Sequence, residues 1–256
     1  MSVLKPTTPV WQSGHPLAAG YYGMWPLHEG TGTTATDLMP SGHNGAFQRD
    51  GGYPYPTWED GTYGKQVAFT SDVIHRVNFG NICAFTTEDF ALEVLFYPTS
   101  FATSPVVFGK GDWNTTSTTF LQCLTTGELR FYVKGTDNNW YYISFGTGGN
   151  VLAVNTWYHV VACKQLVGGQ PKLQAYLNGS KVGGDATAPA TLIVTTHSLQ
   201  LGRSPPWSYP FNGKIAMAAV HGALTATNVA TLYADPWGVV RPGIPVKLSS
   251  QRRFRL

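Results

Sequence analysis

The hydrophobic pattern is clearest between Asn155 and Gly184, NTWYHVVACKQLVGGQPKLQAYLNGSKVGG. Trp157 to Lys164 is a run of aromatic and β-branched residues, the composition of a largely buried strand. Gly168 and Gly169 supply the positive φ of a tight turn at no steric cost. Lys172 to Leu177 then alternates, with Leu173, Ala175 and Leu177 on one side and Lys172, Gln174 and Tyr176 on the other. Period two predicts a strand with one wetter face. Asn178-Gly179 satisfies the two positive φ values of a type I′ hairpin turn, and Ser180 to Val182 begins the return strand. The stretch is a three-strand meander.

Similar runs predict strands elsewhere. They fall at Lys65–Thr70, Val106–Gly111, Thr118–Leu124, Glu128–Lys134 and Trp140–Phe145. A Thr-Thr-Gly turn and an Asp137-Asn138-Asn139 turn separate three of these. One helical turn is predicted, Thr227 to Tyr233, with Thr227 as its N-cap. The ends read differently. Residues 1–16 carry Pro6, Pro9 and Pro16, which forbid regular helix and disfavour interior strand. Residues 237–256 carry Pro242 and Pro245 and show no periodicity. The expected organisation is an extended N-terminal arm (1–16), one domain (17–236) and an extended basic C-terminal arm (237–256). Val10 and Trp11 are costly to leave wet, so the first arm is expected to dock, either on its own domain or on a neighbour.

The order W-Y-H-V, spacer, L-x-x-Y-L-N-G-x-x-V-G resembles the concanavalin A-like, laminin G-like jelly-roll domains. Other stretches from about Gly20 to Tyr233 are similar to that family: GYYGMWPLHE, Asp37 with Ser41-Gly42-His43-Asn44-Gly45, FALEVLFYPTSF, SLQLG and FNGKI. The resemblance implies an all-β fold, a two-sheet antiparallel jelly-roll sandwich. Two departures concern acids. Where relatives carry D-D-Y-V, only Asp72 remains, and where they carry I-D-E-V the acids are replaced by Ala216-Met217.

Composition narrows the class. Charged residues are 12% of the chain. A length of 256 residues suits one large all-β domain. The net charge is +3, but Arg241, Lys247, Arg252, Arg253 and Arg255 follow Pro236 with no acid. Without those five the remainder stands at −2, so a nucleic-acid-binding body is not implied, whereas a basic tail suited to acidic surfaces is. Cys83, Cys123 and Cys163 are odd in number and far apart, which argues for reduced thiols packed as small hydrophobes. Residues 1–16 contain no apolar core of signal-peptide length, and no run in the chain is long enough to span a membrane. The expected site of synthesis is a reducing cytoplasm.

Candidate chemistry is sparse. A retaining glycanase needs two carboxylates about 5–5.5 Å apart. The glutamates are Glu29, Glu59, Glu88, Glu93 and Glu128, and none lies two residues from another acid on a clear strand. Glu88-Asp89 with Glu93 is the nearest cluster, and Glu93 occupies a position where non-catalytic relatives also carry Glu. A divergent glycoside hydrolase is therefore the least favoured reading, and no catalytic residue is assigned. His159, in W-Y-H-V, is expected to fill core space. The family's Ca²⁺ sites would leave Asp72, Asp112 or Asp37 as ligands here, too few by themselves for the six to eight oxygens that Ca²⁺ takes; no other cofactor is implied. Three polar loops combine aromatic platforms with hydrogen-bonding groups suited to sugars, giving Trp113, Asn114, Asn138, Trp140, Trp207 and Tyr209 as carbohydrate-binding candidates. Trp11, Trp237, Arg241, Arg252, Arg253 and Arg255 are the partner-docking candidates.

These features lead to an expectation of a non-enzymatic structural or interaction protein. The resemblance extends to lectin-like decoration, fibre or tail components of bacteriophage particles, with arms docking on capsid or tail subunits or on further copies of the chain. The alternative is a carbohydrate-binding module for cell-surface glycans. The expected location is the virion, or else the cytoplasm, with neither a membrane nor a specific nucleic acid as partner.

Overall fold

The structure is a computed structural model that describes residues 3–49, 51–52, 54–70, 75–111, 119–146, 152–203 and 209–241. In chain order the strands begin with β1 (Tyr21–Trp25), β2 (Thr34–Ala35), β3 (Gly45–Gln48), β4 (Thr57–Gly61), β5 (Gly64–Phe69) and β6 (Arg76–Asn78). The long central strand β7 (Phe90–Ser100) is followed by β8 (Val106–Lys110), β9 (Thr119–Cys123), β10 (Leu129–Lys134) and β11 (Trp140–Ser144). The meander forms β12 (Tyr158–Val167), β13 (Gln170–Leu177) and β14 (Ser180–Lys181). β15 (Ala186–Thr187), β16 (Leu199–Leu201), β17 (Asn212–His221) and the helix α1 (Ala226–Ala234) complete the fold. The expected two-sheet antiparallel sandwich is present. One sheet runs β14-β13-β12-β7-β17-β5-β4, with β1 added on β17 and β15 on β13; the other runs β11-β10-β9-β8-β16-β6-β3-β2.

Alternation explains the core. On β7, Phe90, Leu92, Val94 and Phe96 face the interior between the sheets, where they meet Phe131, Leu121, Val107 and Phe108 of the opposite sheet. Leu173 and Ala175 of β13 join them, as their period-two pattern requires. Asn178 and Gly179 adopt φ of 50° and 79°, the left-handed pair that the turn needs. Cys123 and Cys163 are buried, Cys83 is half-buried, and all three are free thiols. Burial pushes the Cys83 thiol up to about 12, so it stays protonated and unreactive.

The other face of β13 is not wet. Gln174 and Tyr176 are buried, because a second core covers the outside of the nine-stranded sheet. Ala91 and Leu95 of β7, Val161 and Cys163 of β12, and Met217 and Ala219 of β17 lie beneath Val229 and Leu232 of α1 and beneath Trp237, Val239 and Val240. The cap of α1 differs from the sequence reading: Thr225, not Thr227, is the N-cap. Its side chain accepts from Asn228 N–H while the Asn228 side chain accepts from Thr225 N–H, a reciprocal box that Thr227 could not make from inside the helix.

The terminal segments complete this second core. Val10 N–H donates to Val240 C=O and Gln12 N–H to Val239 C=O, each at 2.9 Å, so the first arm pairs with the chain's own exit segment. Trp11 packs edge-on against Tyr21 with ring centroids 5.2 Å apart. Trp237 is not a docking residue for a partner. It is 0% exposed, and its indole N–H donates to Val3 C=O at 2.8 Å. A Trp of this size gains more by closing its own domain's core than by waiting for a neighbour. Arg241 is half-exposed and ion-paired to Asp235 at 2.9 Å. Arg252, Arg253 and Arg255 lie outside the described residues.

Lys5 fixes the arm. Its ammonium donates to the carbonyls of Leu27 (2.8 Å), Ala216 (2.7 Å) and Lys65, and lies 5.0 Å from the Trp237 ring centroid. The Ala216 carbonyl is free to accept because β17 carries one extra residue there against β7, between the pairs Ile215–Phe96 and Met217–Leu95. Burial lowers the Lys5 pKa to about 7, with Glu29 acting in the opposite direction. Three acceptors match the three donors of the charged form. Lys5→Ala leaves those buried carbonyls unpaired, and urea denaturation is expected to show a loss of about 2–3 kcal/mol. An unchanged midpoint would mean that water replaces the ammonium without cost.

Candidate binding surface on the eight-stranded sheet

The outward face of the eight-stranded sheet is built by the same alternation. Register places Tyr142 opposite Tyr132, Tyr132 opposite Phe120, Phe120 opposite Gly109, Gly109 opposite Gln200 and Gln200 opposite Asn78. One continuous row therefore crosses six strands, aromatic in its first half and amide-bearing in its second. Tyr132 packs at a tilt against Phe120 (5.1 Å) and Tyr142 (5.4 Å), while Trp140 meets Phe120 edge-on at 5.6 Å. Gly109 is required at the middle of the row: a Cβ there would lie 2.3 Å from the Phe120 Cβ.

Polar groups flank the rings. Lys134 Nζ lies 5.3 Å from the Trp140 ring centroid, and the Arg130 guanidinium lies 4.8 Å from that of Tyr142. Arg130 is held in a fork on Glu128, Nε to Oε1 at 2.9 Å and Nη2 to Oε2 at 3.0 Å. The hydrogen bonds from Arg130 lower the Glu128 pKa and fix that carboxylate as an ion. Further along the row, Asn78 Nδ2 and Arg76 Nε both donate to Gln48 Oε1 at 3.0 and 2.9 Å, and no described residue donates to the buried Gln200 Oε1. Tyr142 is the open platform, 48% exposed, and Trp140 is half-buried beside it.

The fold brings together two of the expected sugar-contacting residues. Trp140 and Tyr209 pack against one small cluster of Val106, Phe120 and Tyr132. Tyr209 is held there by its carbonyl, which accepts from Val106 N–H at 3.0 Å. Asn138 sits at the exposed tip of the β10–β11 hairpin with φ of 65°, two residues before Trp140. Asp137 organises that tip, accepting from Asn139 Nδ2 at 2.8 Å and from the Tyr141 hydroxyl at 2.6 Å. Trp113, Asn114 and Trp207 lie outside the described residues. Tyr132, Tyr142, Phe120, Arg130 and Lys134 were missed by the sequence reading. Their signal was the alternation within Leu129–Lys134 and Trp140–Ser144, which separates outward from inward positions once a register is known.

The acids considered for chemistry are otherwise engaged. Glu93 is 0% exposed, with Oε1 2.7 Å from His159 Nε2 and Oε2 2.5 Å from His221 Nε2. Burial opposes its charge most strongly, but the two imidazole hydrogen bonds together outweigh burial and hold the carboxyl down at about 2. It lies beneath the second core, without access to a sugar. Glu88 turns back on its own loop, accepting from Thr86 N–H and Thr87 N–H. Asp37 does not fit a Ca²⁺ ligand. Its Oδ1 accepts from Met24 and Met39 N–H and its Oδ2 from His43 N–H, all at 3.0 Å, so its lone pairs organise a loop. The other Ca²⁺ candidates, Asp72 and Asp112, lie outside the described residues. Among the described residues no group of three His, Cys, Asp or Glu side chains is arranged to hold a metal ion. No helix among them is long and apolar enough to cross a membrane.

The sequence profile of the concanavalin A-like lectin/glucanases superfamily matches residues 60–230, and the chain belongs to that family. No curated protein sequence matches the chain. Among solved structures, it is similar to domain 4 of AbnA, a GH43 extracellular arabinanase from Geobacillus stearothermophilus, in complex with arabinotriose. That likeness has a TM-score of 0.62 at 16% identity and covers 84% of this chain and 98% of that one. It is also similar to the binding domain of Paraclostridial Mosquitocidal Protein 1 (TM-score 0.60, 15% identity, 85% of this chain). The receptor binding domain of botulinum neurotoxin D gives a TM-score of 0.59 at 12% identity over 84% of this chain. The chain spans about half the length of each of these two, 52%. At such identities the likeness establishes the fold.

Proposed function

We propose that the domain is a non-catalytic binding module whose ligand-bearing surface is the outward face of the eight-stranded sheet, and that the ligand is a glycan. The observation that carries this reading is the exposed ring of Tyr142 with the half-buried Trp140 beside it, at one end of the row Tyr142–Tyr132–Phe120–Gly109–Gln200–Asn78, whose Tyr132, Phe120 and Gln200 are buried and support it from below. An aromatic face suits the C–H side of a sugar ring, and the adjoining amides suit its hydroxyls. The solved relatives described as binding domains, and the arabinanase domain bound to arabinotriose, support the class of activity. The sealed position of Glu93 supports the absence of glycoside hydrolysis by that residue. On a glycan array, Trp140→Ala and Tyr142→Ala are expected to weaken binding about tenfold each, a loss of about 1.4 kcal/mol, with little change in melting temperature. Failure of the wild-type protein to bind any glycan would overturn the reading, as would unaltered binding by both variants.

A second reading concerns the context in which the module works. We infer that the tail beyond Arg241, which carries Lys247, Arg252, Arg253 and Arg255 and no acid, docks on an acidic surface of a larger assembly. A virus particle is the assembly proposed from the sequence resemblance, with capsid or tail subunits or further copies of this chain as partners. Mass spectrometry of purified particles tests it: the protein is expected among the particle's components, and incorporation that survives deletion of 242–256 would refute the role of the tail.

A further inference from the structure

Toward the other end of the same sheet from Tyr142, an open cavity of about 370 Å³ lies beside the ends of β3 and β6. Phe47, Gln48, Arg49, Gly51, Tyr55 and Arg76 line it. Register explains which of them point outward. Phe47 pairs with Val77 and Gln48 with Arg76; the first pair lies in the core, so the second faces away from it. Gln48 and Arg76 are half-buried, Arg49 is exposed and Tyr55 is 39% exposed, so each is open to a ligand.

The surrounding structure orders these side chains. Arg49 Cζ lies 4.3 Å from the Tyr55 ring centroid, which sets the guanidinium against the ring. The loop that carries Tyr55 is tied to the start of β6. Thr70 N–H donates to His75 Nδ1 at 3.2 Å, so the ring hydrogen is on Nε2, which donates to Pro54 C=O at 2.9 Å. Arg76 is held through Nε by Gln48 Oε1, and that oxygen also accepts from Asn78 Nδ2, so the Gln48 NH₂ is the group left to donate. The polar side chains of the described lining are therefore donors, and the two guanidiniums can do nothing but donate and stay charged. Each arginine has contacts beyond these, so the site rests on the sign and number of its donors and not on a vacant charge. No acid is among the described lining residues. The acids nearest to them in sequence, Asp50 and Asp72, lie outside the described residues.

We propose that this cavity is an oxyanion site that takes the carboxylate or the sulfate ester of an acidic glycan. The proposal rests on the reading of this sheet face as a glycan surface and adds the charge of the ligand. Two oxygens of a carboxylate or sulfate match the parallel N–H groups of a guanidinium. The Gln48 amide and the Tyr55 hydroxyl suit the sugar's own hydroxyls. The order β11-β10-β9-β8-β16-β6 puts five strand spacings, about 24 Å, between the strand of Tyr142 and that of Arg76. One sugar cannot reach both, so an acidic monosaccharide tests the cavity apart from the Tyr142 platform.

The probes are glucuronate, glucose 6-sulfate, glucose and inorganic sulfate, titrated into the full chain while the arginine Nε–H resonances are followed by ¹H–¹⁵N NMR. The two acidic sugars are expected to bind saturably and to displace the Arg49 and Arg76 resonances, more weakly as salt is raised. Glucose, the same ring without the anion, is expected to leave them in place. Arg49→Gln and Arg76→Lys are each expected to weaken binding about tenfold, the second because lysine keeps the charge and loses the fork. Lys181→Gln, which removes a cation from the nine-stranded sheet, is expected to change nothing. Binding of one acidic sugar and not the other supports the proposal and identifies the anion. Absence of saturable binding of both to the wild-type chain overturns it, and so does equal affinity for glucose. Inorganic sulfate bound with neither acidic sugar overturns it as well, since the cavity is then an ion site with no place for a glycan. These readings need no variant, so a misfolded Arg76→Lys protein does not rescue the idea. A glycan array without hits refutes the Tyr142 surface, while the monosaccharide titration reads this cavity alone.

Discussion

Glu93→Ala is expected to destabilise the domain by about 3–5 kcal/mol, the cost of removing one partner from a buried ionic group. For a domain of this size that is a fall in melting temperature of roughly 6–20 °C. Two imidazole N–H groups, from His159 and His221, would lose their acceptor in a region with almost no access to water. Tyr21, whose ring lies 4.1 Å from that of His221, and Tyr233, over His159, close the same site from β1 and the helix. The pH dependence has a defined sign. Folding lowers the carboxyl from 4.5 to about 2, so the folded state binds fewer protons in that interval. The stabilisation is complete above pH about 4.5, declines as pH falls, and is gone below about 2. Glu93→Gln tests this separately, because its amide oxygen can accept from one imidazole while its NH₂ faces the other's N–H. Thermal melts across pH 2–5 should show a slope in the wild type that is shallower in Glu93→Gln. Identical slopes would remove Glu93 as the source.

Trp237→Ala should release the N-terminal arm while leaving the sandwich folded. The indole is fully buried, touches Lys5 through its ring and holds Val3 through its N–H, so truncation opens a large cavity and cuts two ties at once. A loss of about 3–5 kcal/mol is expected. Hydrogen exchange gives the local reading. The amides of Val10 and Gln12, which donate to Val240 and Val239, should lose protection, while those of β12 and β13 keep theirs. Retained protection at Val10 and Gln12 would show that the arm is held by Lys5 and Trp11 without Trp237.

Most of the sandwich was legible in the chain because its signals are local. The turn at Asn178-Gly179 needs two residues tolerant of positive φ, and the alternation in Lys172–Leu177 needs only a pleat. The candidate binding surface was half legible. Trp140, Asn138 and Tyr209 were conspicuous as aromatic and amide groups near turns, but Tyr132 and Phe120 sit in strands, where a ring facing outward and a ring facing the core have the same local sequence. Only the register of β9, β10 and β11 distinguishes them. Lys5 and Trp237 were misjudged or overlooked for a related reason. Proline-containing segments without periodicity look alike whether they lie in solvent or on a sheet.

By itself the sequence determined the pleat, the turns and the antiparallel order of neighbouring strands, since these depend on side-chain alternation and on a few residues with special backbone freedom. Tertiary structure decided which strand faces are covered. It placed the arm, Trp237 and α1 over one sheet and left Tyr142 open on the other, because coverage depends on contacts between residues as distant as Lys5 and Ala216, and no local pattern encodes them.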